Sequence, residues 1–182
     1  TGSAEFSYTD LYYGLKLQLP LYLAAVAAAD DAAHRALPAG FYYLPVKTPV
    51  LEEGLSGEAL LKEVQKAFRL RGVSLKNAEL LEAGGGPSVA PEKGTGVLGL
   101  EDFSAVAEFA RRKAAQTAEA VRTGRAETAP YRKSKRDTAC ARCDYASVCG
   151  FDPAFGGCAY RSVRTVKADA FLEEARHETV DE

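Results

Sequence analysis

All four cysteines of the 182-residue chain, Cys140, Cys143, Cys149 and Cys158, fall within 19 consecutive positions, in the segment TACARCDYASVCGFDPAFGGC. A C-x2-C pair lets two thiolates reach one ion or cluster from a single tight turn, and further cysteines nearby can close the site. Clustering of this kind, with no secretory signal, favours metal ligation by reduced, intracellular thiols over structural disulfides. The bland alternative is a set of free, buried thiols. Zinc ribbons present two C-x2-C knuckles, whereas here one knuckle is followed by lone cysteines, and the ferredoxin run C-x2-C-x2-C-x3-C is absent as well. Spacing alone leaves zinc and iron-sulfur both open.

The cysteines lie in the basic part of the chain. The totals nearly cancel, 23 Lys+Arg against 25 Asp+Glu, but residues 111–167 hold 13 of the bases and 5 of the acids. A basic block of this size can follow a polyanion such as DNA, or it can be a solvated helix face and linker. With 47% hydrophobic residues, 16 Gly and 8 Pro, the chain is neither disordered nor collagen-like, and its length suits one domain with an appended module. The longest apolar stretch, Leu17 to Ala29, contains Gln18 and Pro20 and is shorter than the roughly 20 residues needed to span a bilayer. No basic region precedes it, as a signal peptide would require. The expectation is therefore a cytoplasmic protein without a membrane partner. The absence of any Met, with Thr1 first, suggests a fragment of a longer protein.

Hydrophobic periodicity predicts a helix from Asp10, as N-cap, to about Ala29, apolar nearly all round and therefore buried, with Pro20 kinking it. Phe41 to Val46 is continuous and aromatic-rich, as in a strand buried on both faces, with Pro45 directing its end to a sheet edge. A second helix fits Gly57 to Leu70, and residues 71–81 turn at Gly72 and resume briefly. The glycine-rich run 84–99 is a loop or loose hairpin, and it lacks the Gly-Lys-Ser/Thr ending of a phosphate-binding loop. A third helix runs from Leu100 to Thr123, with Phe103, Val106, Ala110 and Val121 inward and Gly124 as its stop. Residues 131–136 form a basic linker, and the acidic end from Asp169 is expected to fray. His34 and His177 read as exposed, and Asp30, Asp31, Glu52 and Glu53 as solvated charges.

Two separated motifs point the same way. GLKLQLPLY contains Gln18-x3-Tyr22, and CARCDYASVCGFDP contains C-x2-C-x5-C followed by Phe151-Asp152-Pro153. Together with FRLRGVSLKNAELLEA, Arg122-Thr123-Gly124 and Ala129-Pro130-Tyr131, they resemble the C-terminal nuclease domain of the AddB subunit of bacterial AddAB-type ATP-dependent helicase-nucleases, in the RecB-like PD-(D/E)XK superfamily. The resemblance covers nearly the whole chain, to about Arg161. It implies an α/β fold: part of a restriction-endonuclease-like core, helices on a small mixed sheet, with a C-terminal cysteine-rich iron-sulfur module. The implied division is 1–130 for the core, 131–162 for the linker and cysteine module, and 163–182 for the frayed tail.

The activity that this resemblance implies is Mg2+-dependent hydrolysis of DNA phosphodiesters, alongside an AddA-like helicase partner in a heterodimer, during double-strand break repair. That chemistry needs carboxylates to fix the ion and a Lys near the attacking water. The 182 residues contain no Asp/Glu-x-Lys element, and the family's catalytic strand is expected immediately before Thr1. Gln18 and Tyr22, at i and i+4, share one helical face, and the resemblance gives them the role of orienting catalytic groups or the DNA backbone. It makes Cys140, Cys143 and Cys149 ligands of a 4Fe-4S cluster whose fourth cysteine lies far upstream, with Cys158 either an extra ligand or a neighbour and zinc the alternative. The rival functions are a stand-alone CRISPR-associated RecB-like exonuclease and a non-catalytic zinc- or cluster-stabilised DNA-binding module.

Overall fold

The computed structural model describes residues 6–28, 38–44, 46, 50–51, 53–83, 96–125 and 127–180. They form a mixed α/β fold with two small sheets. The order is α1 (Tyr8–Tyr12), α2 (Gln18–Ala28), β1 (Gly40–Tyr43), α3 (Gly57–Ala67), β2 (Arg71–Leu75), α4 (Ala78–Ala83), β3 (Val97–Leu98) and α5 (Leu100–Arg122), followed by β4 (Tyr131–Arg132), α6 (Ala146–Cys149), β5 (Arg161–Ser162) and α7 (Ala168–Val180).

The expected single helix from Asp10 is two. Ser7 is the N-cap of α1, its hydroxyl accepting from the Asp10 amide at 3.2 Å, so Asp10 lies inside the first turn. The chain leaves α1 through Gly14 at φ +74, a left-handed conformation that a side chain would strain. Pro20 is the third residue of α2, where the missing N–H has no intrahelical acceptor, so it needs no kink. The helix is also less buried than its composition implies. Pro20 is its one fully buried residue among those described, and Tyr22 and Val26 face outward.

The first sheet has the order β1-β2-β3, with β1 antiparallel and β3 parallel to β2. The central strand, RGVSL, is the one the sequence pattern concealed: a Gly and two charge-or-hydroxyl positions leave only Val73 and Leu75 as strand-like signal. Gly72 is required by close approach, because a Cβ there would collide with the Phe41 carbonyl oxygen. β1 is an edge strand with only Phe41 buried, not a strand buried on both faces. Tyr42 and Ser74 share a 3.0 Å hydroxyl hydrogen bond between β1 and β2. Asp30, Asp31, Pro45, Glu52 and residues 84–95 lie outside the described residues.

The core sits where α5 crosses the sheet and receives α1 and α7. Phe103, Val106, Phe109 and Ala110 of α5 meet Leu11 of α1, Phe41 and Val73 of the sheet, and Phe171, Leu172 and Ala175 of α7. Burying each large apolar side chain stabilises by about 1.5–3 kcal/mol. Val121, expected inward, is exposed on the last turn of α5, beyond the reach of the sheet. Gly124 at φ +71 follows the Thr123 C-cap and ends the helix as expected.

Residues 168–180 of the acidic end form the helix α7. Asp169, Glu173 and Glu174 lie on the outer side of α7, whereas Phe171, Leu172 and Ala175, at helical spacing, are buried against α5. Ala110 and Ala175 let the two helices approach closely, and Arg112 Nη2 donates to the Ala175 carbonyl at 3.4 Å. A charge count hides such a three-residue stripe.

Candidate nuclease and cysteine sites

Gln18 opens α2, and Tyr22 follows one turn later on the same face. Gln18 Nε2 donates to the Tyr22 hydroxyl at 2.6 Å, and the tyrosine is 59% exposed. Both residues are exposed, so the pair is preformed at the surface with hydrogen-bonding capacity to spare. Such a pair can accept from or orient polar groups, but it has neither the charge to hold a divalent cation nor a base to activate water.

Asp10 is the acid nearest to this helix start in sequence, and the structure gives it a different task. Its side chain is 6% exposed and receives Lys16 Nζ at 3.4 Å and Lys133 Nζ at 2.5 Å. Lys133 comes from the linker that precedes the cysteines. Two more ties join the same regions: the Thr9 hydroxyl donates to the Val166 carbonyl at 3.2 Å and accepts from the Val166 amide at 2.9 Å, and Arg164 N donates to the Tyr13 hydroxyl at 3.3 Å. Both flanks of the cysteine segment are therefore attached to α1 and the turn that follows it. Sequence reasoning assigned Asp10 to capping and missed this, because the partners are remote in the chain.

Residues 133–160 form a closed excursion between β4 and β5, which pair in parallel through Tyr131 with Arg161 and Arg132 with Ser162. A short 3-10 turn at Ala139–Arg142 carries Cys140, Cys143 follows as its C-cap, and Cys149 ends α6, where Gly150 at φ +66 reverses the chain. Asp152 Oδ1 accepts from the Ala154 amide at 2.8 Å, fixing the turn after Phe151. Tyr160 organises the far end. Its ring meets Phe151 edge-on at 4.9 Å and lies 4.8 Å under the Arg132 guanidinium, and a hydrogen bond shared with the Cys140 side chain pushes the Tyr160 pKa up.

All four cysteines are free thiols, Cys143 and Cys149 exposed, Cys140 and Cys158 half-buried. A thiolate-only donor set suits a soft ion or an iron-sulfur cluster. Its spatial arrangement is open, since among the described residues no three or more Cys, His, Asp or Glu side chains gather as a group that could hold a metal ion. His177 is exposed on the last turn of α7, and His34 lies outside the described residues. No helix among the described residues is long and apolar enough to cross a membrane.

The signature described as the PD-(D/E)XK nuclease superfamily matches residues 1–150, and the mixed α/β fold carrying the Gln18–Tyr22 pair belongs to that superfamily. Within it the chain is similar to proteins named as a subunit of an ATP-dependent helicase/deoxyribonuclease. The one from Moorella thermoacetica is 34% identical over 88% of this chain and 16% of its own length, and that of Caldanaerobacter subterraneus subsp. tengcongensis 31% over 91% and 16%. The one from Alkaliphilus metalliredigens is 29% identical over 98% of this chain and 17% of its own length. The chain thus spans about a sixth of the length of the curated relatives it matches.

Proposed function

We propose that this chain is part of the nuclease domain of a helicase-nuclease subunit that hydrolyses DNA phosphodiesters with Mg2+, acting with an AddA-like helicase partner in double-strand break repair. The observation that carries the reading is the Gln18–Tyr22 pair on α2, held at 2.6 Å and open to solvent, in a chain of the PD-(D/E)XK superfamily. In this reading Gln18 and Tyr22 position catalytic groups or the DNA backbone. The metal-holding carboxylates and the Lys belong to polypeptide outside these 182 residues, which contain no Asp/Glu-x-Lys element. Relatives named as helicase/deoxyribonuclease subunits, about six times longer than the matched stretch, favour this over a stand-alone exonuclease.

The same reading makes Cys140, Cys143 and Cys149 thiolate ligands of a 4Fe-4S cluster, with the fourth ligand elsewhere in the polypeptide or at Cys158. Its support is the C-x2-C-x5-C spacing and the closure of residues 133–160 by β4 and β5, which leaves all four thiols on one short excursion. Zinc at these thiols is the second possibility.

The test is to purify the full-length polypeptide with its partner under anaerobic conditions. The expected preparation is brown, contains iron and acid-labile sulfide, and degrades linear DNA only with Mg2+. A colourless preparation with stoichiometric zinc would refute the cluster. Failure to degrade DNA with intact carboxylates would refute the nuclease.

A further inference from the structure

Much of the basic block is neutralised within the molecule. Arg111 and Arg112 reach Glu108, Arg122 reaches Glu119 at 2.6 Å, Lys133 reaches Asp10, and Arg132 covers the Tyr160 ring. The outer face of α5 is therefore a poor track for a polyanion, despite its sequence. The cations that converge do so elsewhere, in an open cleft of about 480 Å3 between the α1–α2 turn, the second half of α5 and the segment that follows it.

Lys113, Arg125 and Arg161 line this cleft against a single carboxylate, Glu127, which Arg125 engages at 3.1 Å. Lys113 is held in place from below: its aliphatic stem lies against Gly14, and its ammonium sits 5.3 Å from the Phe109 ring centroid and 5.8 Å from that of Tyr12. Arg161 enters from β5 and has no carboxylate within ion-pair range among the described residues. Tyr13, whose ring meets Tyr12 edge-on at 5.1 Å and whose hydroxyl accepts from the Arg164 amide, also lines the wall. Fixed cations along a groove, with an aromatic surface beside them, are the elements by which proteins hold single-stranded nucleic acid.

We infer that this cleft binds the backbone of single-stranded DNA, with Lys113 and Arg161 contacting phosphates and Tyr13 offering its ring to a base. Two of the cleft's lining residues, Gly14 and Leu15, belong to the turn between α1 and α2, whose first residue is Gln18. The inference rests on the nuclease reading for its ligand, but not for its geometry.

The test measures fluorescence anisotropy of a labelled oligothymidylate of about 20 nucleotides with the full-length protein, without Mg2+, across a range of salt concentrations. Arg161→Gln and Lys113→Gln are each expected to weaken binding about 5- to 10-fold and to reduce the slope of log K against log salt by about 0.7, one phosphate contact. Arg122→Gln, paired and outside the cleft, is expected to stay within about twofold of wild type. Because Lys113 also packs on Phe109, the exposed Arg161 is the deciding variant, with melting temperature measured alongside.

Wild-type affinity and slope in Arg161→Gln would overturn the inference, as would an equal loss in Arg122→Gln or equal competition by duplex DNA. DNA cleavage with Mg2+ separates the two ideas. Cleft-dependent binding without cleavage sinks the nuclease reading alone, and cleavage with unaltered strand binding in the cleft variants sinks the cleft alone.

Discussion

Lys133 Nζ lies 2.5 Å from Asp10 Oδ1, joining the linker before the cysteines to the first helix of the nuclease fold across more than a hundred residues of chain. The carboxylate is almost fully buried, and Lys16 approaches its other oxygen at 3.4 Å. Both lysine side chains keep about a quarter of their surface in water, at 25% and 28% exposure, so the charges are paired without complete desolvation. The cysteine segment is thereby part of the folded core's electrostatics and not an appendage on a loose linker.

Removing the shared acid leaves two ammonium groups facing a buried amide. Asp10→Asn is expected to destabilise the fold by about 2–3 kcal/mol, below the full penalty for a wholly buried pair because the lysines remain partly solvated. Lys133→Gln should cost less, and the double mutant should show a coupling of about 1 kcal/mol or more. Urea unfolding of the four proteins measures this, and additive effects would mean that the contact contributes nothing.

Tyr8 gives the fold an alkaline limit. Burial, with Asp102 nearby, raises its pKa from 10.0 to about 12. A phenol whose folded pKa is raised contributes stability that is intact below pH 10 and is lost as pH climbs toward 12, because the unfolded chain releases its proton first. The melting temperature of the wild type should therefore drop between about pH 10 and pH 12 by more than that of Tyr8→Phe, which has no proton to lose. Equal drops would contradict a protonated, buried Tyr8.

The terminal helix is testable by truncating one ring. Phe171 is fully buried, meeting Phe109 edge-on at 4.9 Å and Tyr8 at 5.3 Å. Phe171→Ala is expected to cost about 3–5 kcal/mol. A variant within about 0.5 kcal/mol of wild type, as is usual for exposed positions, would show that α7 does not pack on α5 in solution.

Local signals were legible where one short window held all the information. The limits of α5, the amphipathic α3 and the cysteine spacing all came from periodicity or punctuation within a few turns. What escaped depended on remote partners. Asp10 has the local profile of a cap, yet Lys133 decides its role. Val73 is too small a signal to announce a central strand until Phe41 and Val97 flank it. Phe171, Leu172 and Ala175 are diluted by surrounding acids until α5 supplies their partner. At the candidate site, the residue types and spacing of Gln18 and Tyr22 were visible, but their mutual hydrogen bond was not. The convergence of Lys113 with Arg161 was invisible in a linear charge count.

In the proposed nuclease, α2 presents Gln18 and Tyr22 to a phosphodiester-cleaving centre. Mg2+-dependent DNA degradation by the full-length helicase-nuclease, wild type against Gln18→Ala and Tyr22→Phe, tests this most directly. The predicted result is a fall in kcat of about 10- to 100-fold in each variant, the scale of a lost positioning group, with ATP hydrolysis and melting temperature unchanged. Wild-type degradation rates in both variants would contradict that role for the pair.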